Sequence, residues 1–326
     1  MTRSRLYFTA PFRAEAREES LPAPRGDEVL VRARYSAISA GSESLFFTGR
    51  QPPGMKLDAN LPGLEGTTGY PLSYGYSLVG TVVEAGPEAD PGLVGREVFS
   101  FHPHATHAVL RSCDVYPLPE GLDPLDAVFF PNMETAVNLV LDGAPLIGER
   151  AAVLGLGIVG LLTVALLSRF PLAALLGLDA REARRRTALE LGAGSCPEEP
   201  GREGGMDLVY ELTGNPEALD SALGLCGFHS RLCVGSWYGT KTHPVALGGD
   251  FHRNRIRLFS SQVSSIAPEL SGRWTRERRA EVAWGELFRL RPGRLVSHRF
   301  PLASCSEAYR LIQEGPADLL QVVFTY

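Results

Sequence analysis

Between Ala151 and Leu167 the chain holds 17 residues, of which only Thr163 is polar. So apolar a run must either cross a membrane or lie buried on every side in a folded core. The glycines inside it, Gly155, Gly157 and Gly160, favour burial, because they divide the run. A short strand is expected over Ala151–Leu154, then a tight turn, then a helix over Val159–Arg169.

The turn itself, Val153-Leu-Gly-Leu-Gly-Ile-Val-Gly160, has the spacing G-x-G-x-x-G at a strand-to-helix junction. Gly155 is expected to make the sharp turn, Gly157 to let a pyrophosphate approach the backbone, and Gly160 to let helix pack on strand. Ile158 and Val159 open the helix, whose unpaired N–H groups and positive dipole end would face the phosphates. Asp179 closes a second strand expected over Ala173–Leu178, where a carboxylate would hold ribose hydroxyls. These residues together point to a dinucleotide site. The carboxylate favours NAD, since it would repel a ribose phosphate. Arg184, with Arg181, Arg185 and Arg186, keeps NADP as the alternative, because an arginine can pair with that phosphate.

Strands and helices alternate around this junction. Helices are expected over Ala127–Asp142, Arg181–Leu191 and Pro216–Cys226, and strands over Asp207–Leu212 and Arg231–Val234. That order implies a parallel sheet with helical crossovers, an α/β doubly wound fold. Ligands bind such sheets at the carboxyl ends of strands, so Thr213, Gly214, Gly235 and Ser236 are expected to line the cofactor. The first 120 or so residues read instead as short strands broken by Gly and Pro, such as Val29–Tyr35 and Leu78–Val83, with no helical period. The tail predicts helices over Arg276–Leu290 and Ser304–Glu314 and a closing strand over Leu320–Tyr326. The β-rich start, the nucleotide fold and the mixed tail divide the chain into residues 1–124, 125–262 and 263–326.

With 32 basic and 37 acidic residues the net charge is −5, the wrong sign for a nucleic-acid binder. Only Lys56 and Lys241 are lysines, which leaves Schiff-base chemistry few candidates. The five cysteines include no Cys-x-x-Cys pair, fitting neither a disulfide framework nor a zinc knuckle. No secretory leader pattern begins the chain. A cytoplasmic location, with no membrane contact, is the expectation.

Several segments carry a family likeness: Ser36-Ala-Ile-Ser-Ala-Gly-Ser-Glu43, Gly75-Tyr-Ser-Leu-Val-Gly80, Pro131-Asn-Met-Glu-Thr-Ala136, the glycine turn, and Glu211-Leu-Thr-Gly-Asn215. With them nearly the whole chain resembles the medium-chain dehydrogenase/reductase superfamily. Residues 41–43 and 49–52 look most like its bacteriochlorophyllide a dehydrogenase and threonine dehydrogenase-like branches. The resemblance implies a discontinuous GroES-like catalytic domain (1–124 and 263–326) beside the Rossmann domain (125–262), a small-molecule substrate, a homodimer, and Thr135 against the nicotinamide. It also exposes departures. The positions where zinc-dependent members carry Cys, His and Cys correspond here to Ser39, Tyr76 and Pro131, and no four-cysteine lobe is present. Catalytic zinc needs three Cys, His or carboxylate ligands, so a zinc-free member is expected.

Without a metal, a hydrogen-bond donor must manage charge on the substrate's oxygen. Tyr76 and His102 are the candidate acid/base groups, Glu43 a candidate to orient either, and Ser39 a further donor. His102 and His104 are expected on one face of a strand; with His107 they offer a metal reading that lacks a demonstrable convergent third ligand. Asn132, His104, Trp237 and Tyr238 are candidates for the substrate pocket. The expected reaction is hydride exchange between NAD(H) and a carbonyl or secondary alcohol. NADPH-dependent reduction of a C=C bond or quinone is the alternative, and a non-catalytic nucleotide-responsive binding protein is a third reading.

Overall fold

The computed structural model describes residues 1–57, 64, 66–198 and 205–326. Strands β1 (Thr2–Ala10) and β2 (Arg13–Ser20) pair as an antiparallel hairpin. They are followed by β3 (Glu28–Ala37), helix α1 (Ala40–Thr48), β4 (Leu78–Ala85), β5 (Glu97–Ser100), β6 (His107–Arg111) and β7 (Tyr116–Pro117). Helices α2 (Pro124–Ala127) and α3 (Phe130–Gly143) lead into β8 (Arg150–Leu154), α4 (Ile158–Leu167), β9 (Ala174–Leu178), α5 (Glu182–Glu190), β10 (Met206–Glu211), α6 (Ala218–Leu225), β11 (Cys226–Val234) and β12 (Arg257–Ser260). The chain ends with α7 (Arg276–Leu290), β13 (Val296–Pro301), α8 (Cys305–Glu314) and β14 (Gln321–Thr325).

Contacts divide the chain into two units, Met1–Pro131 with Leu287–Tyr326, and Asn132–Glu286. The expected division put 263–286 with the first unit. The structure ties that stretch to the second, where Arg279 of α7 is buried and reaches Glu134 and Asn138 of α3.

The first unit is built on a seven-stranded sheet in the order β13-β14-β3-β4-β5-β7, with β6 also paired to β3. On β3, Val29, Val31 and Ala33 enter a core with Leu78, Val82 and Val98, while Arg32 and Arg34 face outward. This is the alternation that made the strand readable. Helix α1 contradicts the all-β expectation for this region. Its Leu45, Phe46 and Phe47 are buried in succession, so it shows no apolar stripe at helical spacing. His102 and His104 also depart from expectation: they lie between β5 and β6, not on a strand, and both are buried.

The second unit is a five-stranded parallel sheet in the order β12-β11-β10-β8-β9. Its inner strand β8, between β10 and β9, and the helix after it account for the 17-residue apolar run. Ala151–Leu154 and all of α4 except Val159 are buried. Broken this way, the run contains a helix of 10 residues. No helix among the described residues is long and apolar enough to cross a membrane. The edge strand β12, mostly exposed, lacks the apolar alternation that marks a strand and was not foreseen.

Candidate active site

The glycine turn in the second unit has the geometry its three glycines imply. Gly155 has φ +89°, and a Cβ there would stand 2.6 Å from the backbone of Leu212 and Thr213. A Cβ on Gly160 would lie 1.9 Å from the carbonyl oxygen of Gly155. Around Gly157 nothing comes within 4 Å of the corresponding position. Two glycines are thus filled against by protein, and the middle one opens to whatever approaches the backbone. Gly157 is the N-cap of α4 and supplies no side chain to its free N–H groups, which leaves them for an anion. The residues present fit a dinucleotide.

Asp179 sits beyond the end of β9. Its Oδ2 accepts from the N–H of Leu156 at 2.9 Å and its Oδ1 from the N–H of Arg181 at 2.9 Å, which fixes the carboxylate against the turn. Arg184 lies 3.5 Å from Oδ2, and Arg185 donates to the Asp179 carbonyl at 2.9 Å. Burial lowers the Arg184 pKa, with the neighbouring carboxylate opposing that shift.

The loops after β10 and β11 are laced together by a residue the sequence reading had not singled out. Glu211, fully buried, accepts from the N–H of Thr213 at 2.7 Å, from the Thr213 hydroxyl, and from the Tyr238 hydroxyl at 2.5 Å. The Ser236 hydroxyl accepts from the N–H of Gly214 at 2.9 Å, and Lys241 donates to the Gly214 carbonyl. Burial, reinforced by Glu211, raises the Tyr238 pKa, so its hydroxyl is held as a donor to that carboxylate. Gly235 packs so tightly against Leu212 and Leu139 that a Cβ would stand 2.6 Å from one and 2.8 Å from the other. Trp237 is half-buried in the same loop, and Asn132 and Thr135 are half-buried on α3.

In the first unit, Ser39, Ser42 and Tyr76 bring three hydroxyls together. Tyr76 donates to Ser39 Oγ at 2.5 Å and stands 3.2 Å from Ser42 Oγ. The Tyr76 ring lies edge-on to Tyr74, which stacks on Phe46 of α1. Burial pushes the Tyr76 pKa up, with a smaller contribution from the charge on Glu43, so the phenol keeps its proton at neutral pH. Ser39 and Tyr76 stand where zinc-dependent relatives are expected to carry two metal ligands, and the third such position, Pro131, has no donor atom. Two neutral hydroxyls hydrogen-bonded to each other and a pyrrolidine ring do not fit a catalytic zinc.

Glu43 lies behind this cluster with no exposed surface. Its Oε1 accepts from the N–H of Ser39 at 2.7 Å, and its Oε2 accepts from Nε2 of His104 at 3.0 Å and from the Tyr309 hydroxyl. His104 Nδ1 is 2.7 Å from Ser36 Oγ, which is 2.7 Å from the Tyr326 hydroxyl. The histidine joined to Glu43 is therefore His104. His102 instead bonds the Pro103 carbonyl through Nδ1 at 2.7 Å, and burial with the charge of Arg5 lowers its pKa to about 3. His107 bonds Thr106. The three histidines do not converge, and among the described residues no three His, Cys, Asp or Glu side chains are grouped to hold a metal.

Comparison with known proteins agrees with this architecture. No protein-family model matches the chain. It is similar to a D-guloside 3-dehydrogenase of Escherichia coli K12, 23% identical over 351 residues and 99% of each chain. It is also similar to a 2-desacetyl-2-hydroxyethyl bacteriochlorophyllide A dehydrogenase of Rhodobacter capsulatus, 27% identical over 93% of this chain and 91% of that one. Among solved structures, a protein of Escherichia coli CFT073 described as a short chain alcohol dehydrogenase, complexed with NADH, shares the fold. Its TM-score is 0.79 at 18% identity, over 100% of this chain and 99% of that one. Other structures of this fold are described as candidate zinc-binding dehydrogenases, one of them bound to NADP. Mixed-sheet GroES-like unit, Rossmann unit, glycine turn and full-length relatives agree: the chain has the fold of the medium-chain dehydrogenase/reductase superfamily, and its relatives support an NAD(P)-dependent dehydrogenase.

Proposed function

We propose that this enzyme exchanges a hydride between NAD(H) and a secondary alcohol or its ketone, and that side-chain hydroxyls rather than zinc manage the substrate's oxygen. The observation that carries this reading is the Tyr76–Ser39 pair, 2.5 Å apart at the positions of two expected zinc ligands. The bound nicotinamide supplies or accepts the hydride. Gly157 and the N-terminus of α4 would hold its pyrophosphate, Asp179 its ribose, and the braced loops at Thr213–Gly214 and Gly235–Ser236 its far half. Tyr76, kept protonated by burial, gives its proton to the oxygen of a ketone or accepts a hydrogen bond from an alcohol. Ser39 and Ser42 take the remaining hydrogen bonds. Asp179 supports NAD over NADP. All five cysteines are free, which supports a reducing cytoplasm. The open edge strand β12, with Leu258 exposed, supports pairing with a second copy.

The test is a panel of secondary alcohols with NAD, and ketones with NADH, followed by NADH absorbance. Tyr76→Phe should lower kcat on the order of 100-fold, the scale for one donor at a developing oxyanion. Turnover should survive dialysis against a chelator. Wild-type kcat in Tyr76→Phe, or activity lost to the chelator and restored by zinc, would sink the reading.

A further inference from the structure

Ser39 is a helix N-cap that does not cap. A serine there normally turns its hydroxyl to the N–H groups of the first turn. Ser39 has no such bond, and its Oγ accepts from Tyr76 instead. What satisfies this helix start is Glu43, which reaches back to the N–H of Ser39, the reciprocal half of a capping box displaced by one residue. A carboxylate so deeply buried persists only when its oxygens are supplied with donors. His104 and Tyr309 supply them.

We propose that His104 and Tyr309 are positioning residues. They fix Glu43 on the backbone of Ser39, which frees the Ser39 hydroxyl for Tyr76. Two further observations support the assignment. A Cβ on Gly75 would stand 2.8 Å from Nε2 of His104, and Gly75 has φ +133°, so the turn delivering Tyr76 rests directly on the imidazole. One ring thus braces both members of the hydroxyl pair. Tyr309, on α8, is held in place by Phe8 at 5.0 Å and Phe47 at 5.3 Å between ring centroids, which aims its hydroxyl at Glu43. The functional weight of this arrangement rests on the reading that the pair touches the substrate's oxygen; the arrangement itself does not.

The experiment is NMR of the full-length protein labelled with ¹³Cζ-tyrosine, the Tyr76 resonance being assigned by its loss in Tyr76→Phe. In Tyr309→Phe, which removes one oxygen and keeps the ring, and in His104→Leu, the Tyr76 resonance should shift as its bond to Ser39 is lost. In His104→Gln, which restores an N–H donor to Glu43, it should return toward the wild-type position. The NADH dissociation constant should stay within about twofold, because the dinucleotide residues are untouched. With the ketone turned over best in the panel above, kcat should fall about tenfold in Tyr309→Phe and recover in the glutamine variant. If His104→Leu does not fold, Tyr309→Phe decides alone. An unmoved Tyr76 resonance in Tyr309→Phe overturns the inference even where Tyr76→Phe abolishes turnover. A moved resonance with full turnover in Tyr76→Phe leaves the geometry standing and removes the proposed chemistry.

Discussion

The glycine turn allows a sharp separation of stability from ligand binding, because two glycines three residues apart have opposite surroundings. A methyl group at Gly157 meets nothing within 4 Å, and the backbone there, φ −67° and ψ −176°, suits any residue. Gly157→Ala therefore loses only the N-cap preference, about 1 kcal/mol at most. For a unit of this size that shifts Tm by about 2–4 °C. A pyrophosphate lying against that backbone would be pushed off by the methyl group and lose one charge-assisted hydrogen bond, about 1.5–3 kcal/mol. At about 1.4 kcal/mol per decade, NADH should bind about 10- to 100-fold more weakly. At Gly160 the methyl group would stand 1.9 Å from the Gly155 carbonyl oxygen, where ordinary contact begins at 3.4 Å. The turn must open by about 1.5 Å, which costs about 1–3 kcal/mol of stability as overpacking. Fluorescence titration with NADH and thermal melts of both variants check the pair. If Gly157→Ala binds NADH like the wild type, the cofactor does not lie against this turn.

Two further outcomes follow from single groups. The unfolded chain binds a proton at His102 below about pH 6.5 while the folded chain resists it down to about pH 3, so stability is full above 6.5 and falls with acid, by about 2 kcal/mol at pH 5. Urea midpoints should drop correspondingly between pH 7 and pH 5, and His102→Gln should flatten that slope; an unchanged slope refutes the assignment. Asp179→Ser should raise the relative use of NADPH, lowering its KM against that of NADH by about tenfold or more as a like charge beside the ribose phosphate disappears; steady-state KM values for the two cofactors decide it.

What could be read in the sequence was local. Strands β8 and β10 of the second unit are buried on both faces, so apolar runs, glycines and flanking helices mark this part of the sheet, and expected boundaries at β8, β9 and β10 fall within one residue of those observed. The glycine turn was legible because its geometry is encoded in adjacent residues. What stayed hidden depends on contacts across long stretches of chain. Tyr309 meets Glu43 across 266 positions, and His104 meets it across 61. Neither periodicity nor spacing carries that information. His102 and His104 have the same side chain two residues apart, and only the path of the chain between β5 and β6 decides which reaches Glu43. The one available signal at Ser39 was its place just before α1, a helix whose buried Leu-Phe-Phe sequence masked it.

The proposed exchange of zinc ligands for hydroxyls would also change the sign of the local field. A zinc ion would stabilise an alkoxide by its positive charge. Here the charge of the buried Glu43 carboxylate acts in the same direction as burial and raises the Tyr76 pKa. A tyrosinate or alkoxide at this place is disfavoured, and a protonated phenol is favoured. Such a group stabilises a developing oxyanion by giving it a proton, and its rigid mounting means little reorganisation accompanies the transfer. The braces on Ser39 and Tyr76 are thus the counterpart of metal coordination: the geometry that zinc would impose through bonds is imposed here by Glu43, His104 and Tyr309. On the proposed reading, the proton on Tyr76 at neutral pH would equip the site for the reduction of a carbonyl, and alcohol oxidation would first have to remove that proton.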